Sequence, residues 1–455
     1  MGDTRFSEDA TNIHGLFGAL IVQAKGSTWT DPVDGSELRS GIFADIHNPF
    51  KPSFREYAVY FHDELEVVNR FGNQIIDPHT NQPMAVTAIS YRSEPMVNRA
   101  NLIPLKDRGI KCCNPFKPED SCSRTYIIDP NHMLVDGEDV SMSSWTYGDP
   151  STFIPRAYKG DPSKFRLIHG GVLETHVFHL HTHQWKLEPD DPNSTIIDSI
   201  SVSPQESHTI DILHGAGSLP GSIGDHIWHC HLYPHFHEGM WSLWRVFDRL
   251  ETGKDIILEN GEIIRPLYPD GTYIKALNPL PDREKPPKKD LDHPGYPGFI
   301  NGVFKERAKQ PPLGILNQNG QNKMCPTDIE RANLSKDVTR GALYTQPCPD
   351  TSKCYFKEPD AIFELFALQA KLIYNNAGWN DPYGRFYVMK EQIEEYTGHK
   401  MTDENKEKLA KMYVAGIENE EINVEPLVIR ANEGDCIEVR LTNFLPETLP
   451  KTEFQ

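Results

Sequence analysis

Between residues 226 and 240 the chain reads His-Ile-Trp-His-Cys-His-Leu-Tyr-Pro-His-Phe-His-Glu-Gly-Met, placing five imidazoles, a thiol and a thioether within fifteen residues. On an extended strand successive side chains point to opposite faces. His229 and His231 therefore share one face and Cys230, between them, takes the other, so that one strand can serve two separate centres. A second stretch, His176-Val177-Phe178-His179-Leu180-His181, repeats the pattern. Its odd offset of three sets His176 opposite His179 and His181, which share a face.

Sorting these residues by face gives two ligand sets. His176, Cys230 and His235, with Met240 behind them, make the two imidazoles, thiolate and weak thioether that mark a mononuclear copper electron-transfer site. His179, His181, His229 and His231 face a second, histidine-only centre. A structural zinc site or a metal-scavenging tract is the alternative. Zinc ligands usually come as two short pairs, whereas here one cysteine is flanked on both sides by histidine, and soft thiolate with thioether and imidazole selects copper. The remaining histidines of this region, His169, His183, His208, His214, His226 and His237, lack a matching partner and read as supporting or surface residues.

His-x-x-His-x-His at 176–181 and His-Cys-His-x-x-x-His-x-x-x-x-Met at 229–240 resemble the third and fourth copper motifs of the multicopper oxidases. The resemblance implies type 1 copper on His176, Cys230, His235 and Met240, a type 2 ligand in His179, and type 3 ligands in His181, His229 and His231. It further implies one-electron oxidation of a substrate at type 1 copper and reduction of dioxygen to water at the histidine cluster. The family completes that cluster with four more histidines, from His-x-His-Gly and His-x-His motifs on another domain, and outside residues 176–183 and 226–240 this chain carries neither. They are expected from missing domains or from another chain. The stretch 15–22 resembles the closing strand of a preceding cupredoxin domain, and 425–443 the opening strands of a following one. The chain is thus expected to be an internal piece of a longer polypeptide in which the third and fourth motifs precede the first and second. That inverted order, the stretch 141–150 and the phrase His231-Leu232-Tyr233-Pro234-His235 are similar to the large, many-domain bacterial multicopper oxidases of spore coats that oxidise Mn(II). The implied location is a spore coat or another extracytoplasmic surface. Phenols and other organics, or Fe(II) and Cu(I), are alternative donors, and a blue-copper electron carrier is the non-enzymatic alternative.

A divalent metal substrate needs hard oxygen ligands near His176 or His235. Glu174, on the face of His176, and Glu238, just after His235, are the candidates. The formal charge of −19 over 455 residues argues against a nucleic-acid partner and suits approach by cations, though acidity also serves solubility. No run approaches eighteen apolar residues, so no membrane span is expected. Cys112, Cys113, Cys122, Cys325, Cys348 and Cys354 fall mostly in polar, proline-bearing loops, as disulfides in an oxidising compartment do. Cys436, inside a strand pattern, reads as a small buried residue.

Short strand-like runs separated by Gly, Pro, Asn and Asp predict an all-β chain of cupredoxin-like Greek-key sandwiches, one complete and its neighbours partial. Residues 1–52 are expected to hold the closing strand and a linker, 53–250 the complete domain, 251–360 a Pro/Lys/Asp-rich connector, and 361–455 the start of a further domain. Helical spacing over 390–417, with Thr402-Asp403-Glu404-Asn405 as its N-cap, predicts a helical insertion in that last unit.

Overall fold

The computed structural model describes residues 13–77, 81–101, 149–257, 273–289 and 359–446, with a few short elements between them. Its main body is a sandwich of two sheets. One sheet runs, in spatial order, Arg156–Tyr158, Trp241–Phe247, Gly224–Cys230, His176–Leu180, Ser199–Val202. The other runs Ser207–Asp211, Ser163–His169, Lys51–His62, Phe43–Asn48, Thr28–Thr30, with Ala88–Ile89 paired to Lys51–His62. Successive strands cross between sheets, from Ser163–His169 to His176–Leu180 and from Ser199–Val202 through Ser207–Asp211 to Gly224–Cys230. This is the Greek-key arrangement of a cupredoxin-like sandwich.

Burial follows the period of two. Ser163–His169 and His176–Leu180 alternate buried and half-buried positions along their length. Their inward residues, Phe165, Leu167, Phe178 and Leu180, meet Tyr57, Phe61, Trp228 and Trp244 in one core. Thr28–Thr30 and Phe43–Asn48 precede residue 53, where the sequence reading opens this unit. They join it because Phe43–Asn48 turns back antiparallel onto Lys51–His62, with Phe43 opposite Tyr57.

A smaller unit follows. Ala361–Gln369 pairs antiparallel with Arg385–Met389 and parallel with Ile437–Asn443. The helical spacing resolves into two helices, Lys390–Thr397 and Lys406–Glu418, the second burying Leu409, Ala410, Tyr413 and Ile417. Asn405 occupies the N-cap of the second, but its side-chain oxygen accepts the N–H of Thr402 rather than one of the helix's own. Gly18–Gln23 lies parallel to Leu427–Asn432 over its full six residues. A buried ion pair, Arg430 with Glu56, ties this ladder to the sandwich, and Arg166 donates to the same carboxylate at 2.7 Å.

Part of the connector is anchored. Ile274, Leu277 and Leu280 are buried, Arg55 donates to the carbonyl of Asn278 at 2.7 Å, and Lys289 pairs with Glu251 at 2.7 Å. Cys436 is disulfide-bonded, which corrects its reading as a merely small, buried residue. It precedes Ile437–Asn443 instead of lying within the strand, so its sulfur is not committed to the pleat. The six loop cysteines lie outside the described residues. Among the described residues no helix is long and apolar enough to cross a membrane.

Candidate metal centres

The register of two antiparallel strands sorts the ligands. His176–Leu180 faces Gly224–Cys230 with Phe178 opposite Cys230 and His179 opposite His229. Residues directly opposite share a face, so Phe178, His176 and Cys230 turn inward while His179 and His229 turn outward.

After Cys230 the chain makes the short helix Tyr233–His237, with Pro234 in its first turn, and doubles back. The Met240 N–H donates to the His235 carbonyl at 2.9 Å, and the Cys230 N–H to the Met240 carbonyl at 3.0 Å. That return needs Gly239, whose φ is 117° and where a Cβ would lie 2.1 Å from the Ser93 hydroxyl. His176, Cys230, His235 and Met240 are all buried as a result.

Three ligand atoms converge there. His235 Nδ1 is 3.1 Å from His176 Nδ1 and 3.3 Å from Cys230 Sγ, and the sulfur is 3.9 Å from His176 Nδ1. A point equidistant from the three lies about 2 Å from each, close to the length of a bond from a first-row metal to nitrogen or sulfur. The protons are placed to suit. Glu174 Oε2 is 2.6 Å from Nε2 of His235, so that nitrogen donates and leaves Nδ1 bare. The Val177 N–H donates to the Cys230 sulfur at 3.4 Å. Burial pushes the thiol up, more than the Val177 and Leu232 N–H groups lower it, and Glu174 and Glu238 push the same way as burial. A cation at the triangle would reverse that balance and release the proton. Burial, then His169, drives His176 down to about 3, leaving its ring neutral and open to a cation.

The outward face carries the other set. Ligand nitrogens of His179, His181 and His229 lie within 4.8 Å of one another, and Nε2 of His181 is 3.2 Å from Nε2 of His229. His179 Nδ1 donates to the Asp198 carbonyl at 2.9 Å and His229 Nδ1 to the Cys230 carbonyl at 2.8 Å, which frees their Nε2 atoms. His231 is exposed and stands beside this trio, its ring 5.1 Å from that of His179.

Of the two imidazoles near which a carboxylate is expected, His176 and His235, Glu174 reaches His235, because the preceding turn is pinned. The Asp63 carboxylate accepts the N–H groups of Val172 at 2.9 Å and Glu174 at 2.6 Å. Glu238 and Glu64 flank the same edge. Burial raises both carboxyls, and Glu174 raises each further. Glu64 and Asp63 went unnoticed in the sequence because they lie more than a hundred residues before the motif and reach it only through the sheet. His169 is buried and stacks on His176. His183 is buried too, and accepts the Gly217 N–H at 2.9 Å.

No family model and no curated protein matches the chain. Parts of it are similar to solved structures of a multicopper oxidase from Campylobacter jejuni, described as a metallo-oxidase (22% identity, TM-score 0.17, 21% of this chain and 20% of that one), and of a blue copper oxidase from Nitrosomonas europaea (20%, 0.19, 21% and 31%). A copper nitrite reductase from Nitrosomonas europaea is similar over the same share of this chain at lower identity (16%, 0.17, 21% and 32%). The overlap spans between 20% and 32% of those proteins' lengths, so the functional reading rests on the side chains of this chain.

Proposed function

We propose that this chain is the copper-bearing part of a multicopper oxidase. His176, Cys230 and His235, with Met240, would hold type 1 copper; His179 would contribute to a type 2 site and His181, His229 and His231 to a type 3 pair. Bound there, copper supplies reversible one-electron chemistry that no side chain provides, and a histidine-held cluster supplies electrons to dioxygen. The observation that carries the reading is the buried triangle of two Nδ1 atoms and one Sγ. Cys230 lies between His229 and His231, so both sets hang from one short piece of backbone. Remaining ligands for the outward set would come from other domains or another chain. Cu(II) added to the purified chain is expected to bind with intense visible absorption from the thiolate. A colourless copper-loaded chain, or one that Zn(II) outcompetes at equal concentration, would sink the reading.

The electron donor we propose is a divalent metal ion, with Mn(II) favoured over Fe(II) or Cu(I) and over phenolic organics. Glu64, Glu174 and Glu238 crowd negative charge at the outer edge of His235, and carboxylates suit Mn(II). Glu174, already hydrogen-bonded to His235, would orient that ring toward the donor. Replacing Glu64 and Glu238 by Gln should slow bleaching of the copper-loaded chain by Mn(II) about tenfold, while bleaching by hydroquinone stays within twofold. Equal rates for Mn(II) before and after substitution would exclude these carboxylates. A compartment outside the cytoplasm is part of the proposal, supported by the disulfide at Cys436.

A further inference from the structure

Behind the Cys230 triangle lies another buried group: Asp63, His169 and His176, with ligand atoms within 4.8 Å of one another. It does not make a metal site of its own. The His169 and His176 rings stack at 4.7 Å with planes 18° apart, so their in-plane lone pairs run side by side and do not converge. His169 is also committed elsewhere, its Nε2 donating to the Glu174 carbonyl at 2.6 Å.

What the group does contain is a carboxylate that cannot move. Asp63 follows directly on the buried strand Lys51–His62 and is fully buried. Besides the Val172 and Glu174 N–H groups, it accepts that of Leu173 at 3.3 Å. The turn closes on it so tightly that a Cβ at Gly171 would lie 1.7 Å from Asp63 Oδ1. Gly170 and Gly171 both donate to the Phe61 carbonyl, at 2.7 and 3.1 Å, which seats the turn against the end of the strand. Asp63 Oδ2 then stands 3.8 Å from Nε2 of His176, a buried nitrogen without a hydrogen-bond partner. Three backbone N–H donors on its two oxygens suit the ionised carboxylate and leave no place for a proton on the side facing the turn.

We infer that Asp63 is a positioning residue for the metal of the triangle: its fixed charge orients the ring of His176 and lowers the reduction potential of copper held by His176, Cys230 and His235. A metal ion gains positive charge on oxidation, and a nearby buried anion favours the more positive state. Coulomb attraction is strong in the interior, and mobile ions cannot reach Asp63 to screen it. Nothing in the motif spacing requires this residue; it is supplied by the neighbouring sheet.

The inference rests on the copper reading, and the experiment separates the two. The full chain and Asp63→Asn are loaded with Cu(II), and the thiolate absorption of each is followed through a redox titration. Asn has the same shape, keeps one acceptor oxygen for the turn and loses the charge. The expected result is retained absorption with the reduced form favoured about tenfold more, which is about 59 mV for one electron. An unchanged potential in a coloured variant overturns the inference alone. If Asp63→Asn fails to fold, Asp63→Ser, which keeps a small acceptor, is measured in the same way. Loss of fold in both reduces Asp63 to a structural role and overturns the inference. A parent chain without thiolate absorption overturns the copper reading and this inference together.

Discussion

Cys230→Ser, in the copper-loaded chain, is expected to abolish the intense visible absorption while leaving the sandwich folded. The sulfur is the soft donor of the triangle, 3.3 and 3.9 Å from the two Nδ1 atoms. A hydroxyl is smaller, stays protonated at neutral pH and offers no ligand-to-metal transition of comparable strength. The fold should survive because the residue's backbone does the pairing: its N–H donates to the Met240 carbonyl whatever the side chain. Ser is nearly isosteric, so the cavity cost is small. Copper should still associate with the outward histidines, which share no side chain with the triangle. Absorption spectra and unfolding curves of parent and variant decide the matter. Colour that survives the substitution would remove Cys230 from the site.

The largest stability effect is expected at Phe178. Its ring lies between the sheets, with centroids 5.7 Å from Phe165 and Trp185, 5.9 Å from Trp228 and 6.4 Å from Phe61. Phe178→Ala should cost about 3–5 kcal/mol, since the bulky neighbours cannot collapse into the space. Against a typical domain stability of about 5–15 kcal/mol that is a large fraction. Phe178 is also the residue opposite Cys230, lying between His176 and His179 in the strand. Copper affinity should therefore fall at both sets of ligands, because the strand that spaces them loses its anchor. Urea unfolding of the metal-free proteins measures the first effect and copper competition the second. A loss below about 1 kcal/mol would mean that the two sheets do not depend on this contact.

Period-two alternation made the strand pair at 176–180 and 224–230 legible, because a strand has only two faces and a one-residue error would reverse every ligand. The strands before residue 53 escaped because their membership depends on a hairpin with Lys51–His62, not on their own pattern. Residues 273–289 read as connector by composition, but their attachment uses backbone carbonyls, such as that of Asn278, which any sequence would offer. That Glu174 meets His235 is not specified by alternation along the strand, because the Gly170-Gly171 turn sets where the side chain goes. Asp63 and Glu64 were invisible for a related reason. They extend a strand that meets the site through the parallel pairing of Phe61 with His169, a tertiary fact with no local signature.

The parallel ladder of Gly18–Gln23 with Leu427–Asn432 bears on how the chain matures. Its partners are about four hundred positions apart, and contacts of such long range form late and slowly because the intervening loop must close first. During synthesis the early strand emerges long before its mate, leaving Leu20 and Val22 with an uncovered edge for the time translation takes to reach residue 427. That interval is the window in which a chaperone, or premature association with a neighbouring nascent chain, would act on this protein.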